Sequence, residues 1–174
     1  MKKNNSHLLL FVFLFLIIFG GGVYFLTINK PTSTPTSSNT KNMELLETLR
    51  LTYSDSWSVT NNGTEGVELT KGDLSILITT SQVDEDKTLN QIVDELNEKL
   101  KSTKKILSDS SVTINSIPFR RMEYGSLDES LFPSDGLIAY GTLIDNVYLT
   151  FIINFPQSGN PSDAVSVVET IRYN

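Results

Sequence analysis

The chain has 174 residues, with 14 basic and 20 acidic side chains, one histidine and no cysteine. The lack of cysteine excludes disulfides, thiolate catalysis and thiolate zinc sites, and the only histidine, His7, lies before the C-terminal domain, which excludes Ser-His-Asp and Cys-His mechanisms there. All 20 acidic but only 10 basic residues follow Met43, and this net charge of −10 argues against binding nucleic acid or adhering electrostatically to anionic lipid.

An uncharged run of 21 residues, Leu8–Ile28, dominates the N-terminal part of the chain. As a helix it would be about 30 Å long, which matches the hydrocarbon core of a bilayer. Lys2 and Lys3 make residues 1–7 a positively charged cytoplasmic region, so the run is predicted to be a single-pass transmembrane signal anchor with the C-terminal domain outside the cell membrane. The alternative is a signal peptide cleaved after Gly22, which would release a secreted protein.

Residues 29–43 are predicted to form a linker, because the stretch from Pro31 to Thr40 is rich in Ser, Thr and Pro and has no apolar residue to bury. As a flexible coil the linker reaches about 20 Å on average. Residues 44–174 suit one extracytoplasmic domain with a single core.

The first half of this domain alternates apolar and polar residues with the period of two that is typical of half-buried strands. Glu44–Thr48 is predicted to be a lead-in with a short helix, and Asn62-Gly63 a two-residue hairpin turn. Predicted strands are Leu49–Tyr53, Trp57–Val59, Val67–Leu69 and Leu74–Thr80. Tyr53 and Trp57 are assigned to the core, the alternative for Trp57 being a ligand platform.

A helix is predicted from Leu89 to Lys101. Thr88 and Gln91 match a capping box, in which each side chain bonds to the backbone N–H of the other residue. The apolar residues follow a single helical stripe, which is assigned to the core: Leu89, Ile92, Val93, Leu96 and Leu100.

The second half of the domain contains further strands and a final helix. Short strands are predicted at Lys105–Leu107 and Val112–Ile114, and longer ones at Ile117–Tyr124, Leu137–Ile144 and Val147–Phe155, with turns at Asn115-Ser116 and Asp145-Asn146. A final helix is predicted at Asp163–Thr170, capped by Ser162, with Val165, Val168 and Ile171 facing inward. Strands grouped between two helices indicate an α+β fold, with an antiparallel sheet covered by helices on one or both faces.

The segment Leu51–Trp57 resembles the opening of PsbP-like domains, in which an aromatic residue, Pro-Ser-x and a Trp follow one another; here Ser54 replaces the usual Pro. Similar parts follow in order over Leu49–Asn174: a helix, an Arg-x-x-Tyr strand at Arg121–Tyr124, a late strand at Tyr148–Phe155 and a closing Ala164–Tyr173. The resemblance implies an α/β/α sandwich with a central antiparallel sheet, used for docking onto other proteins. The histidine-containing metal sites of plant members are not implied, because this domain has no histidine.

Two surface features are candidates for contacts. Leu131, Phe132 and Pro133 lie in a long loop predicted between Gly125 and Gly136, and they could anchor a protein partner or fold back onto the sheet. Arg120 and Arg121 are neighbours on a strand, so their side chains are expected on opposite faces and not in one clamp.

Acidic residues suggest two further functions. Asp84-Glu85-Asp86 and the loop residues Asp128, Glu129 and Asp135 could bind Ca²⁺ in an adhesion module, but they lack the ligand spacing of an EF-hand, and solvated acidic loops are the preferred interpretation. Paired carboxylates could also hydrolyse envelope glycans. No catalytic residue, metal ligand or cofactor site is assigned, and the preferred hypothesis is a membrane-anchored, extracytoplasmic, non-enzymatic module that docks on an as yet unidentified protein.

Overall fold

The computed structural model describes residues 40–63, 66–126, 136–156 and 159–174. They form ten strands and two helices: β1 Thr40–Leu45, β2 Leu49–Ser54, β3 Ser58–Asn61, β4 Val67–Lys71, β5 Leu74–Gln82, α1 Leu89–Leu100, β6 Lys104–Ile114, β7 Ile117–Ser126, β8 Gly136–Ile144, β9 Val147–Phe155, α2 Ser162–Val168 and β10 Arg172–Tyr173. Neither of these helices is long and apolar enough to cross a membrane. The predicted span Leu8–Ile28 lies outside the described residues.

A seven-stranded sheet in the order β3-β4-β5-β9-β8-β7-β6 forms the centre of the domain, and its pairings are all antiparallel. Two of its hairpins close through two-residue turns at Asn115-Ser116 and Asp145-Asn146, whose φ angles are all positive. Such turns follow the right-handed twist of the strands, and Asn and Asp tolerate this backbone conformation better than most residues.

Helix α1 covers one face of this sheet. Its capping box forms as predicted: the Gln91 N–H donates to Thr88 Oγ1 and the Thr88 N–H donates to Gln91 Oε1, at 2.8 Å for the second bond. Ile92, Val93, Leu96 and Leu100 are buried, whereas Leu89 is half-buried at the margin. These residues pack on sheet side chains, namely Met122, Tyr124, Ala139 and Tyr148.

The opposite face of the sheet carries the main core, which is covered by a three-stranded sheet in the order β1-β2-β10 and by α2. Tyr53 and Trp57 are buried here, with 6% and 4% of their surfaces exposed. The backbone of β2 is bonded to the end of α2, since the Thr52 N–H donates to Thr170 Oγ1 and the Thr170 hydroxyl donates to Thr52 O.

The expected α/β/α sandwich is therefore corrected to a mostly β fold. One face of the central sheet has a twelve-residue helix, but the other is covered mainly by a small sheet, with a helix of only seven residues beside it. The reason is that Met43, Leu45, Leu49 and Leu51 bring apolar area to this face from strands, so that helices need not cover it.

The start of the domain also differs from the prediction. Strand β1 begins at Thr40, inside the predicted linker, and ends at Leu45, so that the segment expected as a helical lead-in consists of the end of this strand and a turn. Met43 and Leu45 alternate with polar residues and are buried, while Thr40 to Asn42 pair with β2 through the backbone. Such a strand is hard to recognise from composition, because its polar residues are held by backbone pairing and not by burial of apolar side chains.

Two local predictions between β3 and β6 are wrong. The β3–β4 hairpin does not close through a two-residue turn at Asn62-Gly63: Asn61 pairs with Val67, the Asn62 N–H donates to Gly66 O at 2.9 Å, and of Asn62 and Gly63 only Gly63 has a positive φ. The two short strands expected near residues 105 and 112 are one strand, β6, with a bulge between Ile106 and Ser108. Its middle is polar, as suits an edge strand that pairs on one side only among the described strands.

Candidate functional site

Helix α2 presents two different faces, one to the core and one to a groove. Ala164, Val167 and Val168 are buried, whereas the outer residues follow the helical spacing i, i+3, i+4, i+7: Ser162, Val165, Ser166 and Glu169. Val165, expected to face inward, is half-buried and lines this groove, whereas Val167 is buried. The expected cap is also wrong, since Ser162 is the first helical residue and Pro161 occupies the cap position without a side-chain bond.

The floor of the groove is the adjacent end of β7 and β8. Arg121, Glu123 and Ile138 contribute side chains to it, and Gly125 and Gly136 contribute bare backbone. The ring of Phe155 lies against Gly136, where an added Cβ would be 2.2 Å from its Cζ atom. A side chain at this position would displace the Phe155 ring from the wall of the groove.

Arg121 has the most developed set of polar contacts in the groove. Its Nε donates to Tyr140 Oη at 3.0 Å, its Nη2 donates to Glu123 Oε1, and its Cζ lies 5.8 Å from the centre of the Tyr140 ring. Burial alone would lower the pKa of Arg121, but the hydrogen bonds to Tyr140 and Glu123 raise it above its ordinary value. The guanidinium is therefore a permanent, partly desolvated cation held in one orientation.

The groove has a volume of about 660 Å³, within the range of ligand sites in proteins. Its walls combine apolar side chains, such as Leu107, Phe155 and Val165, with hydroxyls and carboxylates from α2 and β7. In chemical terms it offers an apolar surface with charged groups of both signs. That combination can hold an extended peptide or a small amphipathic molecule.

Comparison with known proteins identifies the fold. No family model matches the sequence, and no curated protein sequence matches it either. The structure is similar to the solution structure of cyanobacterial PsbP (CyanoP) from Synechocystis sp. PCC 6803, with a TM-score of 0.56 over 84% of this chain and 98% of that one, at 13% identity. The domain has the PsbP-like fold. This agrees with the resemblance found in the sequence, although at such low identity the likeness extends to the fold alone.

The contact candidates of the PsbP-like domain are only partly described. Leu131, Phe132 and Pro133 lie outside the described residues, as do Asp128, Glu129 and Asp135. The two glycines that flank their segment, Gly125 and Gly136, line the groove. The candidate partner contacts are therefore adjacent to the groove in the chain, and their own placement stays a prediction.

The paired arginines of the PsbP-like domain lie on opposite faces of β7, as the strand period predicts. Arg120 Nη2 and Nε donate to the carboxylate of Asp109 at 2.6 and 3.0 Å, and its Nη1 donates to Asn90 Oδ1 at 2.7 Å. The Asp109 hydrogen bonds raise the pKa of Arg120. These hydrogen bonds of Arg120 join α1 to the edge strand β6 and have a structural role, whereas Arg121 faces the groove.

The remaining predicted positions do not contribute to the groove. Asp84, Glu85 and Asp86 are exposed in the loop before α1, and no cluster of three or more potential metal ligands occurs in the described ranges. The sequence reasoning missed the groove itself. Its signal was the polar stripe on α2, which repeats at positions 162, 166 and 169, but only the tertiary structure shows what this stripe faces.

Proposed function

We propose that this protein is a membrane-anchored, extracytoplasmic, non-enzymatic binding module, and that its PsbP-like domain docks onto a protein partner through the groove between α2 and β7–β8. The single observation that carries the proposal is this groove, lined by apolar, cationic and anionic groups on a rigid sheet. Anchoring is supported by the uncharged run Leu8–Ile28, whose length matches a bilayer.

Two properties of the chain favour a binding function over a catalytic one. Without cysteine, and with its only histidine at position 7, the domain lacks the commonest nucleophile–base pairs. The groove cation Arg121 is held by Glu123 and Tyr140, an arrangement that fixes a cation in a recognition surface and occupies the carboxylate of Glu123.

The test is site-specific photo-crosslinking of the full chain in its native membranes. A photoreactive residue replaces Ser166, which is exposed in the groove, and in a matched control it replaces Ser111, which is exposed on the edge strand β6. We expect a discrete protein adduct from position 166 only. Equal labelling from both positions, or none from either, contradicts the proposal.

A glycan hydrolase is the second candidate, because two carboxylates, Glu123 and Glu169, line the groove. It ranks lower because Glu123 is ion-paired with Arg121. Incubation of the purified chain with envelope glycan, followed by measurement of released reducing ends, decides between the two functions. Release that disappears in both Glu123→Gln and Glu169→Gln would establish the hydrolase and overturn the binding proposal.

A further inference from the structure

The outer face of the three-stranded sheet places two arginines side by side. In β2 the buried residues Leu49 and Leu51 alternate with outward ones, so Arg50 points away from the core. Arg172 of β10 is the direct partner of Arg50 in the antiparallel register, and directly opposite residues lie on the same face of a sheet. Neither arginine lines the groove.

The short strand β10 is held in this register by hydrogen bonds beyond its end. The Asn174 N–H donates to Thr48 O at 2.9 Å, and the Asn174 Nδ2 donates to Glu47 O at 3.0 Å. Directly opposite residues of an antiparallel pair have Cβ atoms about 5 Å apart. The guanidinium groups of Arg50 and Arg172 can therefore reach the same small ion.

These two arginines lack the carboxylate partners that the other two arginines of the chain have. Arg120 and Arg121 are each ion-paired with a carboxylate. Arg50 and Arg172 take part in no ion pair with the other described residues, although acidic residues outnumber basic ones in the chain. Glu44 is the partner of Arg50 on β1, but the two are not ion-paired.

Arg50 also carries a hydrogen-bond donor without an acceptor. Its Nε atom is buried and has no hydrogen-bond partner among the described residues. A buried donor without an acceptor destabilises a fold, and so do like charges directly opposite each other on neighbouring strands. An oxyanion that accepts hydrogen bonds from both guanidinium groups removes both penalties.

The number of donors and the charge of the pair indicate which oxyanion fits. Two guanidinium groups offer two forks of N–H donors and two positive charges. A phosphate monoester has three terminal oxygens and a charge of about −1.5 to −2 at pH 7, whereas a carboxylate has two oxygens and a single charge. The phosphate monoester is therefore the better match.

We propose that Arg50 and Arg172 form a binding site for a phosphate monoester on the outer face of the three-stranded sheet. The site is separate from the groove, and it does not depend on the proposed docking function. The phosphate can belong to a small phosphorylated molecule or to the headgroup of a lipid such as phosphatidic acid.

The first test is calorimetric titration of the full chain, in micelles of an uncharged detergent, with phenyl phosphate. We expect one molecule to bind per chain, and Arg172→Gln to weaken binding by at least about tenfold, because a charge-assisted hydrogen bond is lost. Arg172 is exposed, so this substitution leaves the core intact. Lys105→Gln is the control, since it removes one exposed positive charge from β6 and should bind like the parent.

Two results of this titration overturn the proposal. One is a parent chain that does not bind phenyl phosphate. The other is an equal loss of affinity in Arg172→Gln and Lys105→Gln, because diffuse attraction to positive charge would then explain the binding. Benzoate tests the class of oxyanion, and a benzoate affinity equal to that of phenyl phosphate also overturns the assignment.

Arg50 is half-buried, so its replacement is tested through ligand-dependent stability. Arg50→Lys keeps the positive charge but lacks the fork of donors. We expect phenyl phosphate to raise the urea midpoint of the parent but not that of Arg50→Lys, because a ligand stabilises only a folded state that binds it. The comparison is made within each protein, so a lower stability of the variant does not affect it. Equal shifts in the two proteins overturn the role of Arg50.

The source of the phosphate is distinguished by adding lipid to the micelles. If the ligand is a lipid headgroup, phosphatidic acid competes and removes the heat of phenyl phosphate binding, whereas phosphatidylglycerol, a phosphate diester, does not. If the ligand is a small soluble molecule, neither lipid competes. Either result supports the site, but equal competition by the two lipids contradicts selection of a monoester and overturns the proposal.

Discussion

At the scale of single residues, the shape of the groove depends on one close contact, between Gly136 and Phe155. We predict that Gly136→Ala destabilises the domain by about 1–3 kcal/mol, because the new methyl group must displace a half-buried aromatic ring. Urea denaturation followed by tryptophan fluorescence measures the change, and Trp57 is the only tryptophan in the chain.

Gly125→Ala is the matched control for this substitution. An added Cβ at position 125 would meet the flexible end of Leu107 at 3.3 Å, and the exposed leucine can move aside. We expect a change within about 0.5 kcal/mol, as for most surface substitutions. If the two alanine variants unfold at the same urea concentration, the contact with Phe155 does not restrict position 136.

Tyr148 connects a single residue to the pH dependence of stability. Burial under α1 raises the pKa of Tyr148 to about 12, although the nearby hydroxyl of Thr150 acts in the opposite direction, and the two hydroxyls are not aligned for a hydrogen bond. The pKa of Tyr148 is higher in the folded domain than in the unfolded chain, where it lies near 10. The stability that the buried, neutral Tyr148 contributes is therefore complete below pH 10 and is lost as the pH rises toward 12. A pKa shift of this size corresponds to about 2–3 kcal/mol in the free energy of unfolding.

Replacing this tyrosine by phenylalanine tests that assignment. Because the hydroxyl is buried without a partner, we predict that Tyr148→Phe is neutral or stabilising by up to about 1 kcal/mol at pH 7. The variant should also lose less stability than the parent between pH 10 and 12, although Tyr53 and Tyr124, whose pKa values are also raised by burial, keep part of the loss. Identical pH profiles for the two proteins would contradict the role of Tyr148.

At the scale of elements, α1 is held by its capping box as well as by its apolar stripe. We predict that Thr88→Ala lowers the free energy of unfolding by about 1 kcal/mol, because the backbone N–H of Gln91 loses its acceptor. The loss is measured as a shift of the urea midpoint. Thr88→Ser keeps the hydroxyl and should unfold close to the parent; equal losses in the two variants would show that the cap is not the cause.

Helix α2 illustrates why the site was harder to predict than α1. The stripe of α1 is continuous and apolar over twelve residues, so its buried face can be read from spacing alone. Helix α2 has only seven residues, and its valines at 165, 167 and 168 occupy more than one side. Which valine is buried depends on the neighbouring strand β2, and this information is not local.

At the scale of the whole molecule, the boundary of the folded domain follows from β1. We predict that a chain beginning at Thr40 folds with full stability, whereas one beginning at Glu44 loses at least about 2 kcal/mol, the contribution of burying one side chain such as Met43. Urea denaturation of the two shortened proteins measures the difference. Equal midpoints would mean that β1 is dispensable and that the domain starts where the sequence analysis placed it.

The sequence by itself determined the elements whose signals are local: α1 with its capping box, the turns at Asn115-Ser116 and Asp145-Asn146, and the long strands β8 and β9. It also determined the chemistry that is absent, since a domain without cysteine or histidine cannot use thiolate or imidazole. The aromatic turn around Trp57, together with similar parts that follow it in order, suggested the PsbP-like fold. These features depend on residues close together in the chain.

The tertiary structure alone decided which layers cover the sheet and where the groove lies. The polar part of β1 is ordered by pairing with β2, and the groove forms where α2 lies beside β7 and β8, with Gly136 leaving room for Phe155. The guanidinium of Arg121 is oriented by Tyr140 and Glu123, and Tyr140 lies on the neighbouring strand β8. Contacts between residues distant in the chain have no periodic signal in one sequence, and so only the assembled fold reveals them.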